Sequence, residues 1–267
     1  MEPGKTKESF FIKFLGTAGA RFVVARQLRY SAGTFISAHS QQLMLDPGPG
    51  TLVRCARAKP GIDVTKLDAI ILTHAHLDHS NDVNILIDAL TQGGLKKRGL
   101  LFAPQECLRG KNAVVLEYVK DFLEEIVTLK PAQNYQIGNL KFATSIRHDH
   151  EVETYGMQFD LDGQRLAFMV DTKYFPELID SYRNTDILVL NVVRYKPHKS
   201  GKVKHLCIDD VKEIVSNLKP QKAILTHFGM TMLKAKPWEV AQKLSAELGI
   251  EVIAASDGMR LDLESRN

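Results

Sequence analysis

The apolar run Ala69-Ile-Ile-Leu72 passes without a break into Thr73-His-Ala-His-Leu-Asp-His79, and this junction constrains the chain more than any other stretch. The first part reads as a strand buried on both faces. The second crowds three histidines and an aspartate into six positions. They make a poor core, because buried imidazoles and carboxylates need partners, and a poor solvated face, because neutral histidine carries little charge there. Along an extended segment alternate side chains share a face, so His74 and His76 point the same way, while Asp78 and His79 follow where the chain turns. Imidazole nitrogen and carboxylate oxygen are donors that zinc and related divalent cations accept. The helical His-Glu-x-x-His device is absent, so a metal site here is loop-borne.

Around the junction the first third reads as short strands, "FFIKFL", "GTFISA" and "QLMLD", with "DPGPG" forcing a turn and a helix starting at Thr51. "VNILIDALTQGG" follows as a short helix, "LLFAP" as a strand, and the spacing from Lys111 to Glu125 predicts another helix. Strands return in "QIGNLKFATSI", "TYGMQFDL" and "QRLAFMV"; helices and strands then alternate to the end, with a turn at "ASDGM" before a last strand. Trp238 after Pro237 reads as a packing residue at a helix start, and the glycines of "GTAGA" as turns. "AIILTHA" and "AILTHFG" echo one another, each ending a buried strand in Thr-His, where side chains leave the core and can meet at a cleft.

A chain of 267 residues with 44% hydrophobic side chains can bury a large core, and no linker or low-complexity tract divides it, so residues 1–267 read as one domain. The net charge of +4 is too mild to imply nucleic acid by itself. Cys55, Cys107 and Cys207 form no Cys-x-x-Cys pair, which fits a reducing cytoplasm rather than a disulfide framework. The charged start has only a short apolar stretch interrupted by Lys13, unlike a secretory signal, and no apolar run reaches membrane-spanning length.

With its His-x-His-x-Asp-His at His74, His76, Asp78 and His79, the chain resembles the metallo-β-lactamase superfamily. The likeness continues through Asp46 in "LMLDPGPG", His150 in "HEVETYGMQF", Asp171 in "AFMVDT" and His227 in "AILTHF". It implies an α/β fold, a four-layer αββα sandwich of two mixed sheets with helices outside and metals at one edge. Carried over, His74, His76 and His150 would hold one divalent ion, Asp78, His79 and His227 a second, with Asp171 bridging and Asp46 orienting a ligand histidine. His148, two residues upstream of His150, is the competing third ligand of the first metal. Zinc is the first expectation; manganese, iron and nickel suit the same donors. Two such ions would share a hydroxide and clamp the attacked group and the departing oxygen, with Asp78 and His205 as catalytic residues.

"FIKFLGTAGA" and "KHLCIDDVKEIVSNLKPQKAILTHF" look like the branch containing tRNA 3′-processing endonucleases and small phosphodiesterases, in which a histidine before a helix contacts the scissile phosphate. His205 stands there. The preceding loop carries Arg194, Lys196, Lys202 and Lys204, which could receive a phosphate backbone, and Cys207 occupies a helix-capping position. The endonucleases carry a long tRNA-clasping arm between the counterparts of His150 and Asp171, for which the 20 intervening positions leave no room. After His79 the family's glycine-containing continuation is replaced by "SNDVN", so Asp82 and Asn84 either influence substrate choice or cap the next helix. The resulting expectation is a phosphodiesterase acting on a small phosphorylated, nucleotide-like or single-stranded nucleic-acid substrate. Lactone, thioester or carboxyl-ester hydrolysis on the same site and a non-catalytic ligand-binding role are the competing readings, and assembly into a homo-oligomer stays open.

Overall fold

The computed structural model describes residues 10–31 and 33–263; the charged start at residues 1–9 lies outside them. One seven-stranded sheet contains β1 (Phe10–Phe14), β2 (Thr34–Ala38), β3 (Gln41–Leu45), β4 (Ala69–Ile71), β5 (Leu100–Ala103) and β6 (Glu125–Thr128). The second contains β7 (Asn134–Ile137), β8 (Leu140–Arg147), β9 (Tyr155–Leu161), β10 (Gln164–Met169), β11 (Ile187–Asn191), β12 (Lys222–Thr226) and β13 (Glu251–Ala254), while β14 (Arg260–Leu263) returns to pair with β1. Their orders are β14-β1-β2-β3-β4-β5-β6 and β13-β12-β11-β10-β9-β8-β7. Both sheets are mixed: β3 to β6 and β10 to β13 pair in parallel, the remainder antiparallel.

Strand alternation builds the layers. Leu43, Leu45, Ala69 and Ile71 face Leu166, Phe168 and Val189 in the core between the sheets. Their neighbours Met44 and Ile70 turn outward beneath the helix Val83–Thr91, which buries Leu86, Ile87 and Leu90 against them. Ala167, Met169, Leu188 and Leu190 meet the helices Ile208–Leu218 and Pro237–Leu248 on the other side. The result is helix, sheet, sheet, helix, the fold class the sequence implied.

Local readings differ in four places. The Lys111–Glu125 helix reduces to one turn, Glu117–Lys120, followed by β6 from Glu125. Val115, Val119 and Leu123 do have helical spacing and are buried. Asn84 nevertheless holds the chain open by donating to the Val114 carbonyl and accepting from Leu116 N. "QIGNLKFATSI" is two strands folded at Gly138, and Ala20–Ala25 is a short helix where only turns were expected. Trp238 is 54% exposed, so helix burial there rests on Val240, Ala241 and Leu244 instead. Cys207 does cap its helix, with Asp210 accepting from its backbone N–H at 2.8 Å.

Among the described residues no helix is long and apolar enough to cross a membrane.

Candidate metal centre

The carboxyl ends of the parallel strands deliver the chemistry-bearing side chains to one edge of the sandwich. Asp46 follows β3, the segment from Thr73 to His79 follows β4, Asp171 lies two residues beyond β10, and His227 directly follows β12. Asp46 and His227 both have left-handed backbones, with φ of 51° and 59°. Each costs about 1–3 kcal/mol. Fully buried neighbours such as Leu43 and Leu225, each worth roughly 1.5–3 kcal/mol, offset that cost.

His74, His76, His150 and Asp171 present one donor atom each, all within 4.8 Å of one another, and Asp78, His79 and His227 do the same. Asp171 reaches into both groups. Its Oδ2 lies 3.9 Å from Nε2 of His74 and of His150 and 3.6 Å from Nε2 of His79, and its Oδ1 lies 3.5 Å from Nε2 of His227. His150 Nε2 stands 3.1 Å from His76 Nδ1, and His227 Nε2 is 3.5 Å from Asp78 Oδ2. His148 turns elsewhere, with Nε2 at 2.9 Å from the Tyr182 hydroxyl.

The surroundings select the ring tautomers. Thr73 Oγ1 donates to Asp46 Oδ2 at 2.7 Å, so it can only accept from His74 Nδ1 at 3.0 Å, and His74 Nε2 keeps its lone pair. That Nε2 is buried without a hydrogen-bond partner, as a cation ligand would be before binding. His79 Nδ1 donates to Asp46 Oδ2 at 2.9 Å, and His150 Nδ1 donates to the Lys204 carbonyl at 3.1 Å, which again leaves each Nε2 facing the cluster. Asp46 also accepts from Thr73 N at 2.8 Å, so it orients ligands from behind. The donor set therefore fits divalent-cation binding.

Charge follows the same plan except at His79, where burial works against a charged ring but Asp46, Asp78 and Asp171 hold it well above the usual imidazole value. Burial works against an ionised Asp171, but His227 and His205 beside it and hydrogen bonds from His227 and His79 hold its carboxyl well below the usual range. Burial pushes His74, His76 and His150 down, toward the neutral form that binds metal, and pushes His148 down to about 4.

His205 lies at the rim, its Nδ1 3.7 Å from Asp171 Oδ2 and without a hydrogen-bond partner. Of the basic loop, Lys204 pairs with Asp149 at 2.7 Å, and Arg194 Nε donates to the Lys196 carbonyl. Lys196 and Lys202 are exposed on that loop rather than gathered into the cluster. Asp82 accepts from Leu52 N, and Asn84 clamps the 114–116 loop, so both serve the scaffold. Sequence reasoning missed Asn191, whose Nδ2 donates to Asp171 Oδ1 at 2.9 Å, and Thr73. The repeated Thr-His at two strand ends was a signal for the threonine; a lone asparagine ending an apolar strand offers none.

This fold and this histidine-aspartate cluster define a protein of the beta-lactamase superfamily. The superfamily domain model matches residues 41–228, and the chain belongs to that family of hydrolases. An uncharacterised protein of Methanocaldococcus jannaschii is 31% identical, with 94% of each chain covered. A ribonuclease Z of Methanopyrus kandleri is 26% identical over 72% of this chain and 64% of its own length. Among solved structures, the metallo-beta-lactamase fold protein YhfI from Bacillus subtilis superimposes with a TM-score of 0.76 at 18% identity, covering 96% of this chain and all of its own. A diphosphatase from the PhnP family gives 0.69 at 22%, covering 96% and 97%.

Proposed function

We propose that the chain is a cytoplasmic phosphodiesterase that uses two divalent cations, zinc first among them. His74, His76 and His150 would hold one and Asp78, His79 and His227 the other, with Asp171 within reach of both groups. The observation that carries this reading is the double reach of Asp171, whose Oδ2 lies near His74, His150 and His79 and whose Oδ1 lies near His227. Cations bound there supply Lewis-acid activation of water and of the attacked oxygen near neutral pH. The rest is done by the chain. Asp46, Thr73 and the Lys204 carbonyl hold three imidazoles in the tautomer that leaves Nε2 free. His205, at the rim with Nδ1 3.7 Å from Asp171 Oδ2, donates a hydrogen bond to a phosphoryl oxygen or passes a proton to the departing alkoxide. Asp78, partly exposed at the rim, orients the attacking water.

The names of two relatives, a ribonuclease and a diphosphatase, support phosphate over carbonyl chemistry. The substrate is small or single-stranded, since only Asp162 and Gly163 join β9 to β10 and no arm stands there to clasp a folded RNA. Exposed Lys196 and Lys202 then meet a phosphate tail by charge. Three free, buried thiols suit a reducing compartment.

The test is a zinc- or manganese-loaded preparation assayed on bis(p-nitrophenyl) phosphate, a nucleoside 5′-p-nitrophenyl phosphate, p-nitrophenyl acetate and a lactone. Phosphodiester turnover should require metal and fall about 10²–10⁴-fold in His205→Ala, with metal content unchanged. Turnover of the ester or lactone alone would refute the assignment, and loss of metal from His205→Ala would refute its role.

A further inference from the structure

His148 belongs to neither donor group, yet it is buried and fully engaged. Its Nδ1 lies 3.2 Å from the backbone carbonyl of Asp171, and its Nε2 lies 2.9 Å from the Tyr182 hydroxyl. A carbonyl oxygen only accepts, so the ring proton sits on Nδ1; the Tyr182 hydroxyl, whose single proton is shared between His148 Nε2 at 2.9 Å and the Phe168 carbonyl at 3.2 Å, fixes the other edge of the ring. Tyr182 ends the short helix Glu177–Ser181 and is completely buried. Its hydroxyl occupies the space left by the missing side chain of Gly156, where a Cβ would stand only 1.7 Å from it. Beside this contact, Lys173 N donates to the Asp149 carbonyl at 2.9 Å. The segment that carries His150 is thus tied to the segment that carries Asp171.

We infer that His148, oriented by Tyr182, is a positioning residue that sets the peptide plane of Asp171 and thereby the aim of its carboxylate. The inference rests on the metal reading above. Asp171 is gripped at both ends. Asn191 holds Oδ1 of its carboxylate at 2.9 Å, and His148 holds its main-chain oxygen. Removing the second grip lets the peptide rotate, and the two oxygens then no longer face the two histidine groups together. Partners one shell behind metal ligands typically change metal affinity by about 10–100-fold.

The experiment compares His148→Leu, His148→Asn and Tyr182→Phe with wild type, measuring zinc affinity by competition with a chromogenic chelator and the thermal midpoint of the metal-free protein. Asparagine keeps an N–H on the atom attached to Cγ, as Nδ1 is, whereas leucine keeps the bulk alone. His148→Leu should bind zinc roughly 10–100-fold more weakly, His148→Asn should recover most of that loss, and Tyr182→Phe should move in the same direction as leucine. Leucine and asparagine variants that lose the same thermal stability yet bind zinc like wild type would overturn the inference while leaving the metal site standing. If His148→Leu does not fold, Tyr182→Phe decides, and unchanged zinc affinity there overturns it. Wild-type protein that binds no zinc or manganese would sink the metal reading itself.

Discussion

Asp46 Oδ2 accepts a hydrogen bond from His79 Nδ1 at 2.9 Å, and both side chains are buried. The contact joins the end of β3 to the metal-ligand loop after β4 and fixes which nitrogen of His79 faces the cluster. In Asp46→Ala, His79 Nδ1–H, Thr73 N–H and the Thr73 hydroxyl lose their acceptor. Each buried donor left unmet costs roughly 1–3 kcal/mol. The urea midpoint should fall, and zinc affinity should drop about 10–100-fold; unchanged values of both would contradict the orienting role.

Asp78 is the carboxylate that the group with His79 and His227 does not share with the other histidines, unlike Asp171. Asp78→Ala should therefore reduce metal content, read by elemental analysis, from two ions per chain to one. Chelation of wild type should lower its melting temperature, because a ligand bound only by the folded state stabilises it. Two retained ions in Asp78→Ala would show that His79, His227 and Asp171 suffice.

Gly19 lies against His227, where a Cβ would come within 2.2 Å of the His227 carbonyl oxygen and 2.5 Å of its ring Cδ2. Its own backbone is ordinary, with φ of −123°, so the constraint is space. Gly19→Ala should cost about 1–3 kcal/mol by overpacking and weaken metal binding on the Asp78, His79 and His227 side. Equilibrium unfolding and zinc competition measure the two effects, and wild-type behaviour in both would show that the contact yields freely.

Burial raises the thiol of Cys55 from an ordinary 9.0 to about 12 and that of Cys207 to about 11; Cys107 is raised by burial as well. Native protein at pH 8 should therefore react with a disulfide reagent far more slowly than urea-unfolded protein. A group raised in the folded state favours folding fully below its unfolded value and loses that contribution as pH climbs to the folded one. Stability should decline between about pH 9 and 12, and Cys55→Ala should flatten that decline. Rapid labelling of all three thiols in the folded protein would contradict this.

The loop from His74 to His79 and His227 stood out because each follows an apolar strand, a place that local pattern marks, whereas Asp46, His150 and Asp171 were named through the family resemblance. Asn191 and Thr73 escaped a ligand search, since amide and hydroxyl groups at strand ends occur for many reasons. The Lys111–Glu125 segment misled because Val115, Val119 and Leu123 repeat every four residues whether the backbone coils or not; the bonds from Asn84, 30 or more positions away, decide it.

By itself the sequence determined the layered α/β architecture and a loop of metal-type donors at residues 74–79, since strand alternation and donor chemistry are written locally. The tertiary structure alone decided that His150 faces that loop while His148 turns to Tyr182. It also decided that Asp171 stands between the two histidine groups and that Lys204 spends its charge on Asp149. Those outcomes depend on how two sheets register across a shared core, which brings together side chains as far as 149 positions apart, as Asp78 and His227 are. Orientation at that distance is a property of the packed whole.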